Sequence, residues 1–213
     1  MSDRKIAVSA GVFFILATVM GVTVAVILGP ILGGPAPLQA VLANAGLVRL
    51  STLLDIIMAG AVIAIAVVLY PVLRRVSTAL AVGYLAARIV EGIALALGGL
   101  AWLGLVVGQT DAHGLGEMMM EASTALFTLG AEITFGITAL ILNAAFIKAG
   151  LVPRWLSFWG FIGGGLILLL GVLKISGLPY GAVEAAFTAP IALNEMVLAV
   201  WLIVKGFSEG EAA

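Results

Sequence analysis

Five ionisable side chains stand inside long apolar stretches of this chain: Asp55, Arg88, Glu91, Glu132 and Glu195. A charge at the centre of a bilayer costs about 2.5–3.5 kcal/mol even on lenient insertion scales, so these groups must face one another, a cavity or water. Spacing says which of them can meet. Tyr84, Arg88 and Glu91 stand at i, i+4 and i+7 and share one helical stripe, so Arg88 and Glu91 can pair directly. Ser51 and Asp55 share a second stripe, with Arg49 nearer its outer mouth. Thr128, Glu132, Gly136 and Asn143 form a third; Thr188 and Glu195 form a fourth, with Asn194 beside them. Four carboxylates against one central arginine leave a surplus of negative charge. That chemistry suits a proton, a small cation or a polar molecule. The competing reading is a polar lock, in which paired side chains hold helices in register at modest worth per contact.

The elements that position these residues follow from composition. Of 213 residues 63% are hydrophobic and 10% charged, where soluble domains carry about 25% charged residues. With a mean hydropathy of +1.26, the chain is excluded as a soluble enzyme, a nucleic-acid binder or a disordered tail. A membrane-crossing helix needs about 20 predominantly apolar residues. Six stretches qualify, over about 6–28, 47–73, 78–107, 122–148, 153–174 and 185–205, with Gly29-Pro30 expected to stop the first. The fold expected is all-α, a polytopic bundle of six transmembrane helices forming one domain over 1–213. A short helix at about 35–45, bearing Leu38, Val41 and Leu42, is expected to lie on the outer surface. At about 1.5 Å per residue, each of the five charges sits some 12–20 Å from one end of its span. In a hydrocarbon core about 30 Å thick, all five are expected in one central slab.

Basic residues orient the bundle, because Lys and Arg accumulate on the cytoplasmic side. Arg4, Lys5, Arg74, Arg75, Lys148, Arg154 and Lys205 all fall on one side of a six-crossing chain, with Lys174 an outer exception. Both termini are therefore expected in the cytoplasm, and the protein in the cell inner (plasma) membrane. Trp155, Trp159, Trp201 and Tyr70 fall near the inner boundary, Trp102 and Tyr180 near the outer one, as amphipathic rings prefer. More than twenty uncharged residues follow Lys5, too many for a signal h-region of about 7–15, so the first segment reads as a retained helix. Position 2 is not glycine and there is no cysteine, which excludes the common lipid anchors, disulfides and thiolate sites.

Other chemistries fare poorly. His113 lies in an outer loop with Asp111, Glu117 and Glu121, at no recognised ligand spacing, and reads as an exposed histidine. Met118, Met119 and Met120 point about 100° apart on a helix and cannot converge on one copper ion. Zinc-dependent hydrolysis needs more ligands than this chain carries, serine–histidine catalysis fails likewise, and no phosphate loop is present. No metal or cofactor is expected. Gly160-x-x-x-Gly164, within the run Gly160–Gly165, is a close-packing spacing, serving the bundle itself or a second copy or larger membrane complex.

The segments Leu69-Tyr70-Pro71-Val72-Leu73-Arg74-Arg75, Leu80-Ala81-Val82-Gly83-Tyr84 and Arg88-x-x-Glu91 resemble a bacterial family of multi-helix membrane proteins. So do Gly150-Leu151-Val152-Pro153-Arg154-Trp155-Leu156 and Asn194-Glu195 through Trp201-Leu202-x-x-Lys205-Gly206. The family is catalogued as domain of unknown function 4386, and the resemblance runs from about Lys5 to Phe207. It implies an all-helical membrane domain and draws attention to Tyr84, Arg88, Glu91 and Glu195, without assigning a substrate. The leading functional expectation is binding or translocation of a small cation, proton or polar metabolite in an acidic, arginine-containing midplane cavity. In it, Glu132 and Glu195 are the acceptors and Arg88–Glu91 an internal switch or clamp. The alternatives are a non-catalytic accessory or assembly subunit and, below that, an intramembrane enzyme acting on a lipid or quinone-like molecule.

Overall fold

Long uninterrupted apolar sequence produces long helices. The computed structural model describes residues 2–108 and 114–208. Six helices are long and apolar enough to cross a membrane: Asp3–Leu32 (α1), Ala45–Val76 (α3), Thr78–Gly108 (α4), Leu115–Ala149, Arg154–Ile175 (α7) and Glu184–Val204 (α8). The fourth crossing is composite, made of α5 (Leu115–Phe127), a π-helical segment (Thr128–Thr134) and α6 (Phe135–Ala149). A short helix, α2 (Pro37–Ala43), joins the first two crossings. The architecture is an all-α multi-pass membrane bundle.

Small local signals set the turns. Ser77 alone separates α3 from α4, in extended conformation, and its hydroxyl accepts the Leu80 N–H at 3.4 Å. Gly150 ends α6 with φ of 61°, a left-handed geometry that glycine adopts without strain, and Pro153 precedes α7. The proline at 30 does not stop α1 as expected. It falls in the last turn, where one lost backbone hydrogen bond is tolerable, and the helix continues to Leu32. The fourth crossing also starts earlier than expected, because the Met118–Met120 run is already helical. The short helix expected at about 35–45 is confined to Pro37–Ala43 and buries Leu38 and Val41 against the bundle.

Sequence neighbours are neighbours in space. α1 packs on α3, α3 on α4, α4 on the composite crossing, that crossing on α7, and α7 on α8. Contact between α1 and α8 closes the ring. In a ring of six, α4 and α8 are diametric opposites.

The two ends differ. Where the chain's ends meet, the Arg4 guanidinium donates to the carbonyls of Leu202 and Ile203 at 3.3 and 2.6 Å. Beneath it one apolar cluster draws on all six crossings, including Phe14, Leu69, Tyr84, Phe146, Leu156 and Leu202. At the far end the cluster of Val24, Leu28, Val41, Val48, Trp102 and Leu105 excludes α7 and α8. Those two helices have 22 and 21 residues where α3 has 32, and so fall about 15 Å short of it. Trp102 is buried in this far cluster. Exposed apolar side chains such as Val26, Leu53, Val67, Ile93, Leu169 and Val204 cover the outer face of the ring, as a lipid-facing surface requires.

Candidate functional site

Arg88 is buried at the centre of the ring, and α4 supplies both side chains that accept its hydrogen bonds. One turn away on the same stripe, the Tyr84 hydroxyl accepts the Nε–H at 3.1 Å. At i+3, Glu91 Oε1 accepts from Nη1 at 2.8 Å, and the pair is almost fully shielded from solvent. The stripe read from spacing therefore forms as a physical unit. The second Glu91 oxygen accepts the Thr138 hydroxyl from α6 at 3.2 Å.

Across the ring, Glu195 on α8 brings Oε1 to 3.7 Å from Arg88 Nη2. That separation is an ion pair without a hydrogen bond. Glu195 is also the more open carboxylate, its side chain 17% exposed against 3% for Glu91. Three rings pack on the guanidinium, with centroids 5.8 Å (Phe14), 5.4 Å (Tyr84) and 5.6 Å (Phe135) away. Four helices thus converge on one arginine, which stays protonated in any environment. Phe14, Phe135 and Thr138 were not legible in the sequence, since single aromatic or threonine residues in apolar helices carry no distinctive signal.

The remaining expected residues lie elsewhere. Asn194 turns toward α7, its amide donating to the Leu156 carbonyl at 2.9 Å. Asn143 donates to the Ala139 carbonyl at 2.8 Å, and Gly160 sits between the two asparagines. Asp55 is buried between α3 and α4, where Gly99 makes room for it: a Cβ there would stand 2.9 Å from Oδ2. Among the described residues no side chain or backbone group bonds to Asp55, and the Ser51 hydroxyl one turn away is likewise buried without a partner. Arg49 is exposed at the far end and engages none of these groups.

Glu132 does not join Arg88. Its Oε1 accepts from Lys174 at 2.5 Å, and Lys174 also donates to Glu184 at 2.8 Å. The stripe Glu132, Gly136 and Asn143 is real, but it faces α7, packing on Gly171, Gly164 and Gly160 respectively. The five charges consequently occupy two levels rather than one slab. Counted from the end bearing Arg4, Arg88 and Glu195 lie about 15 Å in, whereas Asp55 and Glu132 lie about 25–31 Å in. The single slab fails because some depths were measured from the inner end of a span and others from the outer end, and the far ends of the helices are not level.

Gly160, Gly163 and Gly164 meet Asn143, Ile191 and Ala139 within the chain, and only Gly165 faces open space. Two surface clefts flank the bundle. One of about 580 Å³ is lined by residues of the 35–39 segment with Glu117, Met120 and Glu121; the other, about 440 Å³, by Tyr70, Pro71, Arg74 and Arg75. Neither reaches Arg88. Among the described residues no cluster is arranged to hold a metal ion. His113 and Asp111 lie outside the described residues.

No curated protein and no solved structure matches the chain. A family model described as a domain of unknown function, DUF4386, matches residues 9–206, from within α1 to just beyond α8. With most of α1 and all of the other five crossings inside that match, the chain belongs to the DUF4386 family.

Proposed function

We propose that this protein binds or translocates a proton or small cation, with Glu195 as the acceptor and the Arg88–Glu91 pair as a switch. The observation that carries the reading is the inequality of two carboxylates around one arginine: Glu91 at 2.8 Å and Glu195 at 3.7 Å on the opposite helix. A cation arriving at Glu195 replaces a loosely held partner rather than a hydrogen-bonded one. Arg88 then remains on Glu91, Tyr84 and its three aromatic rings, contacts that each contribute about 0.5–2 kcal/mol for a cation over a ring. When the cation leaves, Arg88 again neutralises Glu195. Because α4 and α8 face each other across the ring, this exchange acts on two helices that share no other extensive contact.

The same reading places both termini in the cytoplasm and the protein in the cell inner membrane. Seven basic residues lie at the end where Arg4 meets α8, against Arg49 and Lys174 at the far end among the described residues. A thermal-shift titration of purified protein with Na⁺, K⁺ and protons tests the binding step. Stabilisation that disappears in Glu195→Gln supports it; identical titrations for both proteins contradict it.

A second reading draws on the filled centre. Arg88 is enclosed by rings and carboxylates, and both clefts lie away from it, which suits an accessory or assembly subunit held in register by a polar lock. Under that reading the charges serve stability alone, and Glu195→Gln changes melting temperature without changing any cation response.

A further inference from the structure

At the far end of the bundle the chain holds one of its own ammonium groups in a carboxylate and aromatic cradle. Lys174, on the last turn of α7, donates to Glu132 at 2.5 Å and to Glu184 at 2.8 Å, and stands 5.0 Å from the centroid of the Tyr180 ring. Three elements contribute: the π-helical segment, the α7–α8 connection and the first turn of α8. We propose that this cradle is a binding site for a primary alkylammonium ligand, occupied here by the chain's own Lys174.

Four observations support it. Two carboxylates face a single ammonium, so the cradle carries one more negative charge than Lys174 neutralises. Glu132 is only 4% exposed, yet its Oε2 has no hydrogen-bond partner, leaving one acceptor for a donor that Lys174 does not supply. Glu132 also belongs to the π-helical segment, a rare geometry that re-aims side chains and tends to occur at functional sites. The segment can approach α7 because Gly171 lies opposite, where a Cβ would fall 3.0 Å from Glu132 Cβ.

The resident group is also replaceable. Lys174 is the last-turn residue of α7, its carbonyl accepting from Gly177, which has φ of 68° and opens the exposed connection to α8. Its long stem lets the ammonium leave without moving the helix. Glu184 is 48% exposed, so the cradle is open to a ligand from the far end. Carboxylates that accept N–H bonds and a ring face that attracts cations are together selective for a compact protonated amine. A quaternary ammonium lacks the N–H donors, and a bare alkali ion gains less from the ring.

The test replaces the tethered amine with a free one. Lys174→Ala is purified in detergent and titrated with n-propylammonium chloride at constant ionic strength, followed by melting temperature. The expected result is a rise of a few degrees that saturates, with wild type giving the same rise only at higher n-propylammonium because its own Lys174 must first be displaced. On a Glu195→Gln background, which removes the central site, tetramethylammonium and Na⁺ leave Lys174→Ala unmoved, and Lys174→Ala with Glu132→Gln loses the response to n-propylammonium. If Lys174→Ala is not recovered as a monodisperse protein, purification in n-propylammonium restores it under the proposal, and Lys174→Gln serves as the second variant. No amine-specific stabilisation or recovery in either variant overturns the proposal, as does a response that survives Glu132→Gln. The site is independent of Glu195, so the same titration on a Glu195→Gln background separates failure here from failure of the central switch.

Discussion

Arg88 and Glu195 approach to 3.7 Å from opposite sides of a six-helix ring, while Arg88 is bound at 2.8 Å by Glu91 on its own helix. Glu195 is therefore the carboxylate with the weaker hold on the shared counter-charge. A ring of antiparallel helices makes this possible because it brings α4 and α8 to face each other without packing together. Glu91 is anchored twice, by Arg88 and by Thr138, whereas among the described residues Glu195 has only the distant guanidinium.

Removing Arg88 leaves the buried Glu91 and the half-buried Glu195 without their cation. Arg88→Met is expected to lower stability by about 3–5 kcal/mol, the usual consequence of stranding a buried charge. Adding Glu91→Gln recovers part of that loss, with a coupling of about 1–3 kcal/mol between the two sites. Unfolding in mixed micelles checks both. Strict additivity would contradict the pair geometry.

Gly160 sits where a Cβ would lie 2.5–2.6 Å from atoms of Asn143 and Asn194, whereas nothing stands near Gly165. Gly160→Ala is expected to destabilise by about 1–3 kcal/mol through overpacking, and Gly165→Ala to be nearly neutral. Thermal denaturation in detergent distinguishes them. Equal effects would mean that Gly160 does not face the two asparagines.

Asp55 has no partner among the described residues, and Gly99 gives way to it. Asp55→Asn is expected to leave stability unchanged or raised, since no hydrogen bond or ion pair is lost. Gly99→Ala lowers it, because the new methyl meets Asp55 at 2.9–3.0 Å. A loss above about 1 kcal/mol in Asp55→Asn, read by thermal unfolding, would reveal a bonding partner.

The chain contains no cysteine, so single cysteines report topology cleanly. Leu178→Cys, in the exposed connection before α8, is expected to react with a membrane-impermeant maleimide on intact spheroplasts. Ser208→Cys, at the end carrying most of the basic residues, reacts only after permeabilisation. The reverse pattern would invert the proposed orientation.

The Arg88 unit was legible because its geometry is local: i+3 and i+4 spacings on a helix place Tyr84, Arg88 and Glu91 together whatever the surrounding fold. The six crossings were legible for the same kind of reason, since their apolar runs exceed the required length. Glu132 was misplaced because depth depends on where each helix begins. The fourth crossing begins at Leu115 rather than about 122, which sets Glu132 about 10 Å further from the far end of its own crossing than expected. Lys174 appeared to be a loop cation because it ends an apolar run, yet a four-carbon stem carries its ammonium back to Glu132. The π-helical segment was invisible, its residues Thr128–Thr134 being compatible with an ordinary helix.

The central claim is that Glu195 carries the bound cation, and flux through reconstituted proteoliposomes tests it most directly. Proton and alkali-cation movement is followed under an imposed gradient for wild type, Glu195→Gln and Gly165→Ala, each confirmed as folded and inserted. The account predicts flux in wild type and Gly165→Ala and at least about a tenfold loss in Glu195→Gln, equivalent to removing about 1.4 kcal/mol of favourable interaction. Undiminished flux in Glu195→Gln, or no flux in wild type, would contradict it.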